Sequence, residues 1–456
     1  MTYHHLESYP SMDSADSHVP EEHRVNRTGK WLPQDHRVHK EWLGDIIDYV
    51  DNHPKELHPV IKEFRDMIEE DTRIYLLFSS MFEQIPNKKP YNNDPTGHRQ
   101  IRDCDHMLRV LNHLLITAPS WSNKSERVGL VGLPVNALFD WPMATKSGFA
   151  VFLDPKVNAM LKKVLNTWAE YLASPASAEV LEEGNPSSWF SDTGIKELAK
   201  TANIEETSYS FEEMFICNPS AKHHGFKSWD DFFTRQFKEG IRPVAAPDNP
   251  DIIVNACEST PFNVAYGVKA RDKFWNKAQP YSVSDMLAHD ELTEQFIGGT
   301  VYQAFLNALS YHRWHSPVAG RIVKAYVQDG TYFSEPLFEE FDATHGADEG
   351  GEVTGQGYIT ATAVRAIIFI EADNPAIGLM AFLGVGMAEV SSCDITVKEG
   401  QHVEKGDQIG MFHFGGSTHC LLFRNGVEVG GFPDISRQKN VPVRAELAVV
   451  KSSARS

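Results

Sequence analysis

No run of about 18 consecutive apolar residues occurs in the 456-residue chain, which leaves no candidate for a membrane-spanning helix. The longest apolar stretch, 378–390, is too short and carries Glu389. The N-terminus (MTYHHLESYPSMDSADSHVPEEHR) lacks the apolar core of a signal peptide. Cysteine is scarce: Cys104, Cys217, Cys257, Cys393 and Cys420 lie far apart, with no CxxC and an odd count. That pattern reads as reduced thiols in a cytoplasmic protein, and excludes a disulfide framework or a zinc site. Positive charge is also short, with 43 Lys and Arg against 62 Asp and Glu and a net charge of −19. Long-range repulsion then disfavours nucleic acid and an anionic bilayer as partners, so no stable membrane anchor is expected.

What is present is ordinary globular material, 41% hydrophobic and 23% charged, long enough for two or three domains. Residues 1–38, rich in His, Ser, Asp and Pro without apolar periodicity, read as a disordered tail. From 39 to 205 the period is helical. HKEWLGDIIDYVDNH puts Trp42, Ile46, Ile47 and Val50 on one face, and HPVIKEFRDMIEED, RIYLLFSSMFEQI, HMLRVLNHLLI and VNAMLKKVLNTWAEYLA repeat the pattern. Over 206–456 the texture changes to short β-branched runs such as DIIVNA, RIVKAYVQ, AVRAIIFIEA and GLMAFLGVGMAEV, broken by Gly, Pro and Asn. SWDDFFTRQFKEGIRPV, ahead of them, predicts a helix stopped by Gly240 and Pro243. The expectation is an α+β protein, a helical N-terminal domain followed by a β-rich catalytic domain.

Two stretches, SPVAGRIVKAYVQDGTYF and SCDITVKEGQHVEKGDQIGMF, each read as strand, Gly turn and strand. Together they resemble the half-motifs of a lipoyl- or biotinyl-type barrel sandwich. A carrier needs an exposed lysine at a hairpin tip, and Lys324 instead alternates within a strand, so the likeness supports architecture and not carrier function. A lipoyl-type binding module without catalysis stands as the non-enzyme alternative, and it predicts an uncut chain.

The informative segment is FHFGGSTHCLLF, 412–423. Gly-Gly-Ser-Thr between two apolar runs is by itself a hairpin turn. It is not a GxSxG nucleophile elbow. It does not stand alone. SWDDFFTRQFKEGIRPV (228–244), NACESTP (255–261), KAQPYSVSDML (277–287), FIGGTVYQAFLNALSYHRWHSPVAG (296–320) and the Gly-Gly-Ser-Thr follow one another in the order seen in the phosphatidylserine decarboxylase family, and the chain resembles that family of self-processing pyruvoyl enzymes. FIEADN, EGQHVEKGD and MFHFGGS are similar to its fungal branch, which decarboxylates free aromatic amino acids.

The resemblance implies that Ser417 Oγ attacks the carbonyl of Gly416 and that the chain breaks between Gly416 and Ser417, leaving a covalent pyruvoyl group on a C-terminal fragment that stays bound. Two glycines before the serine allow backbone conformations that a side chain forbids. A serine hydroxyl is a weak nucleophile and needs a base. By match of motif His315 is that base, Glu258 the carboxylate behind it, and His312 the acid that reprotonates the substrate carbon. Phospholipid-cleaving members carry Asp in a PxDG-like setting, whereas this chain has Cys257-Glu258-Ser259. Core histidines or an HxxH metal pair are the other readings of His312 and His315; no third ligand at a plausible spacing accompanies them, so no metal is expected. Arg235 and Arg242 could bind a carboxylate or phosphate through the guanidinium fork, but more often an Arg in such a segment pairs with a local acid on the surface, and His413 and His419 flank the cleavage site where they could line the pocket. The implied substrate is a small free amino acid, tryptophan or a related aromatic one, with phosphatidylserine as the alternative. The oligomeric state is not legible.

Overall fold

The computed structural model describes residues 36–85, 101, 103–121, 132–204, 207–272, 281–334, 355–390, 392–414 and 417–451. The first half is helical: α1 (His36–Asn52), α2 (Pro59–Glu70), α3 (Thr72–Glu83), α4 (Cys104–Leu114), α5 (Pro134–Met143), α6 (Lys146–Phe152), α7 (Pro155–Leu172) and α8 (Asp192–Ala202). Aspartates open several of them. Asp71 accepts from the Arg73 and Ile74 amides, Asp103 from His106 and Asp154 from Lys156 and Val157, each cap worth about 1 kcal/mol. The apolar stripes meet where expected: Phe64 of α2 packs edge-on against Phe78 of α3, which meets Phe152 of α6. On α1, Leu43, Ile47 and Val50 are buried, with Trp42 and Ile46 half-buried beside them. The helix begins at His36, so 36–38 are helical and not tail; the rest of the expected tail lies outside the described residues, as does the expected boundary at 205/206.

Two short helices follow, α9 (Phe211–Met214) and α10 (Trp229–Phe233). The helix expected over 228–244 therefore stops at Phe233. Extended pairing with the earlier chain replaces it: the Ile216 amide donates to Gln236 O and the Lys238 amide to Met214 O.

Strands occupy the second half: β1 (Ile252–Val254), β2 (Thr260–Tyr266), β3 (Thr300–Leu306), β4 (Arg313–His315), β5 (Gly320–Gln328), β6 (Arg365–Ala372), β7 (Leu379–Gly386), β8 (Ser392–Ile395), β9 (His402–Val403), β10 (Gln408–His413), β11 (Ser417–Phe423), β12 (Val429–Gly430) and β13 (Glu446–Val450). Among the described residues they form a seven-stranded antiparallel sheet, β2-β3-β11-β7-β6-β5-β9, and two three-stranded sheets, β1-β13-β12 and β4-β10-β8. The two repeated-looking stretches meet directly, since β5 pairs with β9. Lys324 lies within β5, ion-paired with Asp290 at 2.6 Å.

β3, β7 and β11 are buried along their whole length. Strands covered on both faces read as continuous apolar runs, which is why no alternation marks them in the sequence. Along β11, Leu421 and Phe423 join the apolar cluster that continues into the helical half, while Cys420 and Leu422 join a second cluster on the other face. Side chains alternate along a strand, so Ser417 and His419 share the face that the helical half covers.

Candidate active site

Ser417 opens the central strand of the large sheet, opposite Leu306 of β3 and Gly386 of β7. Its register is pinned from the next residue. Thr418 Oγ1 donates to Ala304 O at 2.9 Å and accepts from Gln303 Nε2 at 3.0 Å, and Gln303 is itself held by Gln356 and Tyr281. Ser417 is fully buried, and its Oγ has no hydrogen-bond partner among the described residues. An unpaired buried hydroxyl costs free energy of the order of 1–3 kcal/mol, so its retention asks for a chemical reason.

The segment leading to the junction is fixed as firmly. Phe412 packs edge-on against Trp314, and Phe414 lies between Trp168 of α7 and Trp229 of α10. Phe414 has φ +60°, a left-handed conformation that a bulky residue adopts only when its surroundings force it. His413 Nδ1 donates to Asp230 Oδ1 at 2.9 Å, with Asp394 at 3.7 Å on the other ring nitrogen. Burial opposes protonation of His413, but the two carboxylates outweigh it and hold its pKa above the ordinary value. Gly415 and Gly416, the expected upstream side of the cleavage, lie outside the described residues.

The YHRWH run lies beside this segment. Trp314 fills the space left by Gly384 and Gly410, where a Cβ would come within 2.9 and 2.4 Å of its ring. That close approach locks β4 against β7 and β10. The His312 ring stacks on Phe233 at 4.1 Å, and the Phe412 amide donates to the His312 carbonyl. Burial, with Arg235 nearby, pushes the His312 pKa well down. His315 Nδ1 faces the Gly406 carbonyl at 2.9 Å, and Nε2 faces the Tyr311 hydroxyl at 2.9 Å. A carbonyl only accepts, so Nδ1 carries the proton and Tyr311 donates to Nε2. Burial, reinforced by Arg444, lowers the His315 pKa to about 3, so the ring is neutral at any ordinary pH.

Glu258 does not stand behind His315. No hydrogen bond joins them. The Glu258 carboxylate instead receives a bidentate pair from Arg242 (3.0 Å from Nε, 2.9 Å from Nη2), one bond from Asn440 at 2.8 Å and one from the Val443 amide at 2.9 Å. Four donors consume its acceptor positions and tie the segment before β2 to the C-terminal chain. Nor does His315 contact Ser417 in this conformation, since its acceptor nitrogen is taken by Tyr311. In an uncharged site such bonds often form only along the reaction path. The two arginines are corrected as well. Both are buried, Arg242 on Glu258 and Arg235 donating to the Leu309 and Ser310 carbonyls just ahead of Tyr311. His419 is sealed between Tyr302 and Phe382, and burial lowers its pKa to about 3.

Three groups escaped sequence reasoning. Tyr311 precedes His312 and was readable only as part of the motif. Asn440, 182 positions from its partner, left no signal. Glu389 interrupts an apolar run and was visible as an oddity. It is buried, and its oxygens accept from the Val135 and Asn136 amides at the start of α5.

Two family models match the chain, both described as phosphatidylserine decarboxylase, over residues 58–198 and 229–449. Among curated proteins, the decarboxylase iboD of Amanita muscaria is 40% identical over 70% of this chain and 91% of its own length. The L-tryptophan decarboxylases of Psilocybe cubensis and Psilocybe cyanescens are 34% and 36% identical, each over 86% of this chain and 88% of their own. A phosphatidylserine decarboxylase proenzyme of Schizosaccharomyces pombe is 32% identical over 44% of this chain. No helix among the described residues is long and apolar enough to cross a membrane. Matched along both halves, the chain belongs to the phosphatidylserine decarboxylase family and is a decarboxylase, similar to the fungal enzymes named for L-tryptophan.

Proposed function

We propose that this decarboxylase acts on a free amino acid, tryptophan or a related aromatic one, through a pyruvoyl group that the chain makes from Ser417 by cutting itself after Gly416. The observation that carries the reading is the buried, unpaired Ser417 hydroxyl at the first position of a central strand, directly after two glycines. Its place there suits a group that is consumed: no bond of the folded sheet depends on that oxygen. A pyruvoyl group supplies an electrophilic carbonyl and an electron sink for the pair released with carbon dioxide.

The chain's own residues have separable tasks. In processing, the Ser417 Oγ proton goes to His315 Nε2 once Tyr311 yields that position, while the Gly406 carbonyl keeps Nδ1 protonated and the ring oriented. The hydroxyl oxygen bonds to the Gly416 carbonyl carbon, the peptide nitrogen leaves as an amine, and an ester links the two sides. Elimination across the Ser417 carbons then frees residues 1–416 as a carboxylate and leaves a dehydroalanine, whose imine tautomer water hydrolyses to the pyruvoyl group with loss of ammonia. In turnover, His312 relays a proton to the substrate carbon, giving one from the ring and taking another up, since its lowered pKa leaves the resting ring neutral. Its stacking on Phe233 fixes the ring plane for that transfer. The C-terminal piece remains bound, because β11 is hydrogen-bonded on both edges and β13 pairs with β1. The five free cysteines suit a cytoplasmic setting.

Relatives named for phosphatidylserine support a second reading in which the same chemistry serves a phospholipid. Carbon dioxide release from L-tryptophan and from phosphatidylserine vesicles decides between them. The first reading expects turnover of the free amino acid, and exclusive turnover of the vesicles would overturn it.

A further inference from the structure

A cavity of about 310 Å³ lies between α7 and the β-rich half. Its rim is exposed, formed by Asn166 and by Lys162, which is paired with Asp329 at 2.5 Å. Its buried lining includes Leu165, Val364 and Glu389. The size falls at the lower end of small-ligand pockets, about 300–1,000 Å³, and suits one small molecule. The cavity is joined to Ser417 through the sheet by a short relay. The Val364 carbonyl accepts from the Gly386 amide at 2.9 Å, Gly386 pairs with Ser417, and Glu389 follows Gly386 by three residues.

Glu389 is the unusual group there. Its carboxylate accepts from the Val135 amide at 2.8 Å and the Asn136 amide at 3.0 Å, and its own backbone N–H also bears on it, which still leaves an acceptor position for a ligand. Among the described residues no lysine or arginine pairs with it; the lysine that shares the cavity is committed to Asp329. A buried carboxylate without a cation is expensive, and burial pushes this one up to about 8 despite the backbone amides of Glu389, Val135 and Asn136. A cation delivered by a ligand removes that cost.

We infer that the substrate occupies this cavity between the helical half and the sheet, and that Glu389 receives its ammonium group. The inference rests on the amino-acid reading above and deepens it: α5 and α7 become part of the substrate site, α5 by holding Glu389 in place and α7 by walling the cavity. Binding to the carboxylate selects ligands with an amine, and the 310 Å³ volume limits their size.

The test uses the full-length Ser417→Ala chain, which cannot capture an amine covalently, titrated by calorimetry with tryptamine and with indolepropionate. Tryptamine should bind, and indolepropionate, which lacks the ammonium, should bind at least about 10-fold more weakly. Adding Glu389→Gln should weaken tryptamine about 10- to 100-fold, the range for a hydrogen bond to a charged group. Equal tryptamine affinity with and without Glu389 would overturn the inference and leave Glu389 as a helix cap alone; so would failure of tryptamine to bind the Ser417→Ala chain. Because Glu389→Gln also weakens a helix cap, a crystal structure of the Ser417→Ala chain with tryptamine gives an independent answer. The amine nitrogen should lie about 3 Å from a Glu389 oxygen, and density for the ligand elsewhere counts against the proposal. Failure of the amino-acid reading shows separately, as wild-type enzyme inert toward tryptophan but active on phosphatidylserine, and tryptamine binding can be scored in either case.

Discussion

The helical half and the β-rich half place their polar groups differently. In the helices, buried polar side chains mostly close local structure: Asp154 caps α7, Thr145 caps α6 and Ser177 donates to the Leu172 and Ser174 carbonyls. Around β11 the pattern inverts. Among the described residues, Ser417 is buried without a side-chain bond and Glu389 without a cation, while His315 and His419 are held neutral. Natural cores tolerate such groups where chemistry needs them, and the contrast supports the proposed site around Ser417.

The sharpest way to break the contrast is Ser417→Ala. It removes an unpaired hydroxyl from the core, so the fold should be kept or slightly stabilised while self-cleavage and decarboxylation vanish together. Retained activity on a denaturing gel of uncut chain would remove Ser417 from the chemistry. A cap in the helical half behaves oppositely: Asp103→Ala should cost about 1 kcal/mol of stability and leave processing intact.

Next in size is a split between two histidines three residues apart. His315→Ala should stay uncut, whereas His312→Ala should be cut yet turn over about 10²–10⁴-fold more slowly, the usual worth of a general acid. Gel mobility and a carbon dioxide assay, with circular dichroism to confirm folding, read both. If both stall uncut, His312 belongs to processing; if His312→Ala is cut and fully active, its ring serves packing alone.

Glu258→Gln separates structure from mechanism. Breaking a buried bidentate pair typically costs about 3–5 kcal/mol, so the melting temperature should drop clearly. Processing should slow only as far as the fold loosens. Slow processing at an unchanged melting temperature would instead restore Glu258 as the group that orients His315.

The smallest effect is on acid stability. His312, His315 and His419 have native pKa values below the ordinary 6.5, two of them at about 3. The unfolded chain therefore binds more protons below about pH 6.5, and stability present above that pH is lost as pH falls toward 3. His413, raised by its carboxylates, acts in the opposite sense and lessens the slope. Denaturant midpoints at pH 7 and pH 5 should show the fall, and His419→Phe should reduce it.

How much of this was legible in the sequence follows the same division. α1 to α4 and α7 announced themselves because each has one apolar face. α5 did not, since all ten of its residues are buried and no periodicity remains. Ser417, His312 and His315 were singled out through motifs whose spacing is local. The partners of His315 and Glu258 were not, because Gly406 and Asn440 reach them from distant parts of the chain. Burial converted Glu258 from an expected member of a triad into the anchor of an ion pair, and spacing alone carries no sign of that.

The central claim is that the chain cuts itself at Ser417, and the intact mass of the purified wild-type protein tests it most directly. The account predicts two masses that copurify, residues 1–416 and a fragment of 417–456 whose first residue has become a pyruvoyl group. A single full-length mass from protein that releases carbon dioxide from tryptophan would contradict it.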